Sequence, residues 1–152
     1  WHTTCSYYRL TQRAQLKIMN HIRSIHHINY LVKDINQALP YFTRLFDCQP
    51  IVEALSGRNV TTARFPVGDA WLVLVQPLNE HGEVARILAK RGEGLFLLSF
   101  GVDDLSSTLD ALVERGIAPD AKGPRTGLDN WSVHDIECPL SLAFTLQLCQ
   151  PS

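Results

Sequence analysis

The chain has 152 residues, with 14 Lys+Arg against 15 Asp+Glu, a formal charge of −1 and 45% hydrophobic residues. That length suits one compact domain or two small fused halves, which folds on an apolar core without disulfides or a structural metal. Near-neutral charge with no Lys/Arg cluster denser than Lys90-Arg91 argues against a nucleic-acid partner, because a duplex binder needs a basic face to displace counterions. No apolar run approaches the length of a membrane span, and Trp1 to Leu10 lacks the pattern of a secretory signal. The cytosol is therefore the expected compartment, with no membrane partner.

Residues 1–23 form an N-terminal extension that matches nothing later in the chain. Leu10, Ala14, Ile18 and Ile22 fall four apart, which predicts a partly helical segment with Arg13 and Lys17 towards water. Such a helix would pack across a subunit interface or over a cavity. Met19, the sole methionine, is an alternative start.

Ser24 to Val32 is rich in β-branched and aromatic residues and predicts a strand. Asp34 then caps a helix over 34–46, with Ile35, Ala38, Leu39, Phe42, Leu45 and Phe46 at helical spacing. Pro40 inside it costs a hydrogen bond. Three strands follow at about 49–55, 59–66 and 70–76, separated by Ser56-Gly57-Arg58-Asn59 and Pro66-Val67-Gly68-Asp69, which are turn chemistry. A linker segment at 80–91 carries a short helix whose apolar stripe is Val84, Ile87 and Leu88.

The same order then repeats. A strand at Gly94–Val102 leads into a helix opened by Asp103-Asp104, with Leu105, Leu109, Leu112 and Val113 on one face. Gly116 ends it. Three weaker strands follow near 120–125, 130–136 and 142–149. The fold class is therefore α+β: two tandem βαβββ units, 24–78 and 93–150, forming one cupped mixed sheet in a single domain over 24–150.

Cys5, Cys48, Cys138 and Cys149 contain no Cys-x-x-Cys pair, which excludes a zinc knuckle or redox dithiol and leaves them as free thiols. Cys149 alternates with apolar neighbours, as a small buried hydrophobe does.

Between Ile25 and Gln150 the chain resembles the vicinal oxygen chelate superfamily, which includes glyoxalase I, bleomycin-resistance proteins and extradiol dioxygenases. Its pattern is nearest to the methylmalonyl-CoA epimerases. The resemblance rests on His27-Ile28-Asn29-Tyr30-Leu31-Val32-Lys33-Asp34-Ile35, on Val75-Gln76-Pro77-Leu78, and on Val84 to Leu95 running into Gly101-Val102-Asp103-Asp104-Leu105. It implies a glyoxalase-like cup and a homodimer. It also implies a divalent metal held by one ligand from each of four strands, with positions open for a substrate oxygen. Those positions map to His27, Val73, Leu97 and Gln147. Two are aliphatic and one acid has become an amide, so the expected metal and cofactor complement is none.

His26, His134 and Glu53 are the nearest replacement donors, but alternation on a strand turns His26 away if His27 faces in. The region expected to carry an acid/base carboxylate reads Val60-Thr61-Thr62-Ala63. His27 is either a relic that hydrogen-bonds a ligand or a satisfied core histidine, and Gln147 shares that ambiguity, with His27 a possible partner. Trp71 and Trp131 either line the cup or pack on the sheets. Arg64 and Arg125 either meet an anionic ligand or face solvent. His134-Asp135 faces apart on its strand. These residues favour a binding protein whose cup takes an apolar or amphipathic organic ligand through His27, Val73, Leu97, Gln147, Trp71 and Arg64. The alternatives are a metal-dependent lyase or isomerase with displaced ligands, and an interaction role for the N-terminal segment.

Overall fold

A computed structural model describes residues 21–152, so the extension over 1–20, Cys5 included, lies outside the described residues. The first strand, β1, spans Ile22–Leu31 and takes in Ile22 and Arg23, which the sequence assigned to the extension. Then come α1 (Ile35–Phe46), β2 (Ile51–Leu55), a 3₁₀ turn (Ser56–Arg58), β3 (Val60–Val67), β4 (Ala70–Pro77), α2 (Glu83–Arg91) and β5 (Gly94–Val102). The chain continues as α3 (Leu105–Glu114), β6 (Arg125–Thr126), a second 3₁₀ turn (Leu128–Asn130), β7 (Ser132–Ile136) and β8 (Thr145–Gln150). Both βαβββ units are present. The predicted strand at 120–125 shrinks to two residues, because Pro119, Gly123 and Pro124 leave little that can pair.

The eight strands form one mixed sheet in the order β2-β3-β4-β1-β5-β8-β7-β6. The halves join where β1 runs antiparallel to β5, and each half closes on itself by a parallel pair, β1 with β4 and β5 with β8. On the outer face, α1 covers Ala63, Phe65 and Leu74, while α3 covers Val102, Phe100 and Leu148. The inner face gathers Leu31, Val73, Val75, Phe96, Leu97, Trp131 and Val133, and α2 closes it with Val84, Ile87 and Leu88.

Local chemistry sets each helix. Asp34 accepts from Asn36 N at 2.9 Å and Asp104 from Ser107 N at 2.8 Å, so both predicted caps form. Pro40 sits on the exposed side of α1, which runs on to Phe46. Gly116, at φ +81°, ends α3, with Ile117 N bonded to Leu112 O at 2.9 Å.

Three register shifts interrupt the β1–β5 seam, the first between Ile22 and Ser24 and two more that bear on the cup. Ile25 pairs with Phe100 and His27 with Ser99, leaving His26 as the extra residue of β1; Asn29 pairs with Leu97 and Tyr30 with Leu95, leaving Phe96 as the extra residue of β5. A bulge breaks the alternation of faces. The expectation that His26 turns away from His27 is corrected accordingly: both are buried and their Nδ1 atoms lie 2.9 Å apart.

Candidate functional site

The cup holds a cavity of about 70 Å³ that opens to solvent at its mouth. His27, Val73, Leu97 and Gln147, from β1, β4, β5 and β8, all line it. The four strands thus converge as the resemblance implies, with hydrocarbon at two of the four positions. Val73 and Leu97 are 0% and 3% exposed.

Polar groups surround that apolar floor. His27 stacks on Trp131 at 4.9 Å between ring centroids, and His26 meets the same indole edge-on at 4.5 Å. Burial, with His26 beside it, pushes the His27 imidazole down to about 3, although the nearby Gln147 side chain works in the opposite sense. Burial also lowers His26. Both rings are therefore neutral at pH 7, and one Nδ1–H donates to the other ring's Nδ1. Gln147 donates from Nε2 to Asp135 Oδ1 at 2.9 Å, so its amide partner is Asp135. Its Oε1 and Asn29 Oδ1 are buried with no hydrogen-bond partner among the described residues, and both residues line the cavity. Buried acceptors of this kind are normally satisfied by water or a ligand.

Trp131 lines the cup, whereas Trp71 packs on the inner core outside the cavity lining. The turn before Trp131 has Asp129 and Asn130 at φ +46° and +56°, and Gly127 N bonds Trp131 O at 2.7 Å. That conformation is uncommon for residues with a Cβ and holds the indole over the histidines. Neither reading of Arg64 holds: it does not line the cavity, and it is buried. Its guanidinium bonds Glu53 Oε2 at 2.7 Å and lies 5.3 and 5.7 Å from the Trp71 and Trp131 centroids. Arg125 does line the cavity, but it bonds both Asp135 oxygens at 3.0 and 3.2 Å.

Glu53 and His134 are likewise engaged elsewhere. Glu53 is the partner of Arg64, and His134 Nε2 meets Asp120 O at 3.0 Å while Asp135 turns to the cup. Cys48, Cys138 and Cys149 are free, and burial raises the Cys149 thiol to about 12.

A further lining residue escaped the sequence reading. Arg58 lies in the turn after β2, between Leu55 and Val60, which also face the cavity. Burial and then Arg125 lower its pKa, while Asp135 and Glu83 oppose the shift. A guanidinium nonetheless stays charged at neutral pH.

The four converging strands do not suit the superfamily's metal. Val73 and Leu97 supply no donor, and Gln147 supplies no charge, so His27 and one amide are too few to hold a divalent ion.

The fold and this arrangement place the chain in a class: it belongs to the glyoxalase/bleomycin resistance protein/dioxygenase superfamily, whose family model matches residues 26–134. A relative, the uncharacterized protein YqjC of Bacillus subtilis (strain 168), is 26% identical over 126 residues, 82% of this chain and 90% of that protein. Among solved structures, methylmalonyl-CoA epimerase from Mycobacterium tuberculosis is similar, with a TM-score of 0.79 and 22% identity over 88% of this chain and 91% of that one. A variant of Streptomyces coelicolor methylmalonyl-CoA epimerase, in complex with 2-nitronate-propionyl-CoA, has a TM-score of 0.75 and 20% identity over 86% of this chain and 99% of that one. These likenesses establish the fold; the lining of the cup has to carry the function. Among the described residues, no helix is long and apolar enough to cross a membrane.

Proposed function

We propose that the chain is a metal-free small-molecule-binding protein of this superfamily, with an apolar or amphipathic organic ligand held in the cup. One observation carries the reading. At the four converging positions, Val73 and Leu97 give an apolar floor beside His27 and Gln147, and the buried Oε1 of Gln147 and Oδ1 of Asn29 have no donor among the described residues. Apolar walls with a few convergent polar groups characterise sites for organic ligands. In this reading residues 24–150 act as one domain, cytoplasmic and homodimeric.

The test is titration with N-phenyl-1-naphthylamine, a neutral fluorophore that brightens in apolar sites. One saturable site per chain is expected. Leu97→Trp, which fills the cup, and Leu97→Arg, which charges it, should each weaken binding at least about tenfold while circular dichroism shows a folded protein. Undiminished binding by both folded variants would sink the reading.

A second reading, the metal-dependent lyase or isomerase with displaced ligands, rests on a different group. Ring nitrogens of His26 and His27 and the Cys149 sulfur lie within 4.8 Å of one another. Imidazole and thiolate suit zinc. Against it, the imidazoles are already bonded to each other and the thiol is strongly protonated. Metal retention that Cys149→Ser abolishes would favour this second reading.

A further inference from the structure

Resting on the cup reading above, we infer that the ligand is an amphipathic anion whose oxyanion head group binds Arg58 at the mouth while its apolar body lies on Val73, Leu97 and Phe96. The first ground is charge. Arg58 and Arg125 line the cavity, and the two carboxylates that act on Arg58 are Asp135 and Glu83. Both acids are already committed: Asp135 accepts from Arg125 at 3.0 Å and from Gln147 at 2.9 Å, and Glu83 accepts from Lys122 at 2.8 Å. Arg58 therefore has no ion-pair partner among the described residues, although the guanidinium of Arg125 is close enough to disfavour its charge. Deeper in the inner layer, Arg64 and Glu53 balance each other. Of the two arginines that line the cavity, Arg125 is ion-paired and, among the described residues, Arg58 is not.

The second ground is preorganisation. The Ser56–Arg58 turn ends in Asn59 at φ +58°, whose side chain donates to Asn79 Oδ1 at 2.8 Å and to His81 O at 3.2 Å. Leu78 N bonds Asn59 O at 2.9 Å. The backbone that carries Arg58 is thus pinned to the segment after β4. A cation on a pinned backbone that lines an apolar cavity, with its like-charged neighbour already neutralised, is arranged to receive an anion. An alkyl or aryl carboxylate and the corresponding phosphate ester share this chemistry.

The test is displacement of bound N-phenyl-1-naphthylamine by a matched series: decanoate, decyl phosphate, 1-decanol and decylamine. Decanoate or decyl phosphate should compete roughly ten- to a hundredfold better than decanol, as a charge-assisted bond would give. Whichever anion prevails identifies the head group. Arg58→Gln should remove that advantage and leave decanol within about twofold. Raising the salt should weaken the anions and spare decanol. Equal competition by decanoate, decyl phosphate and decanol, stronger competition by decylamine, or an anion preference that survives Arg58→Gln would overturn the inference and leave the cup reading standing. Absence of fluorophore binding in the wild-type protein, by contrast, would remove the cup reading and this inference together.

Discussion

In the first half of the molecule Asp34 caps α1, and Gln76 Oε1, from the last strand, accepts from Ile35 N at 2.8 Å. In the second half Asp104 caps α3, and Gln150 Oε1 accepts from Leu105 N at the same 2.8 Å. The bulges repeat as well, His26-His27 in β1 against Phe96-Leu97 in β5. The linings do not. The first half places an imidazole on its first strand and a valine on its last, whereas the second places a leucine on its first and an amide on its last. The scaffold is a repeat because helix docking and sheet closure make the same physical demand twice. The lining is free of that demand, so the same four positions can supply a metal's donors or an apolar floor.

Deleting a core side chain tests the scaffold most severely. Phe65 and Leu148 are 0% exposed, one in each outer layer, and Phe65→Ala and Leu148→Ala should cost about 3–5 and 2–5 kcal/mol respectively in urea unfolding. Because β1–β5 pairing joins the halves, either variant should lose far-UV dichroism and tryptophan fluorescence in one coincident transition. Separate transitions would break the equivalence of the halves.

The next effect singles out the first half. His27 is held from an ordinary 6.5 down to about 3 in the folded protein, so between those values the unfolded chain binds the extra proton. Stability is fully present above pH 6.5 and falls as pH drops towards 3, by up to about 1.4 kcal/mol per pH unit for this one proton. Stability against pH, measured for wild type and His27→Gln, should show a shallower slope in the variant.

The caps sharpen the comparison. Asp34→Ala and Asp104→Ala should each cost about 1 kcal/mol, with matching losses in thermal unfolding. A large difference between them would mean that one half leans on its helix more than the other. Smallest of all, Asp103→Asn removes the exposed ion pair with Arg23 (3.0 Å) and should change stability by about 0–1 kcal/mol.

The repeat was legible because both helices begin at an aspartate, carry an apolar stripe and are preceded by a β-branched or aromatic strand. The convergence of His27, Val73, Leu97 and Gln147 was legible through the resemblance. His26 was misplaced because a bulge lies in the pairing of two strands, and alternation along one strand cannot reveal it. Arg64 and Trp71 were placed in the ligand site because their charge and ring are visible in sequence, whereas the partner Glu53, on another strand, is not. Arg58 was missed for the reverse reason. Ser56-Gly57-Arg58-Asn59 reads as turn punctuation, and only Leu55 and Val60 on either side, both inward-facing, hinted that the turn borders the cavity.

Metal retention tests the central claim most directly: that the four converging positions serve an organic ligand. The purified protein is incubated with nickel, cobalt, zinc or manganese, desalted, and analysed by plasma mass spectrometry. The donor set predicts far less than one ion per chain, unchanged in His27→Ala. One ion per chain, lost in His27→Ala, would contradict it.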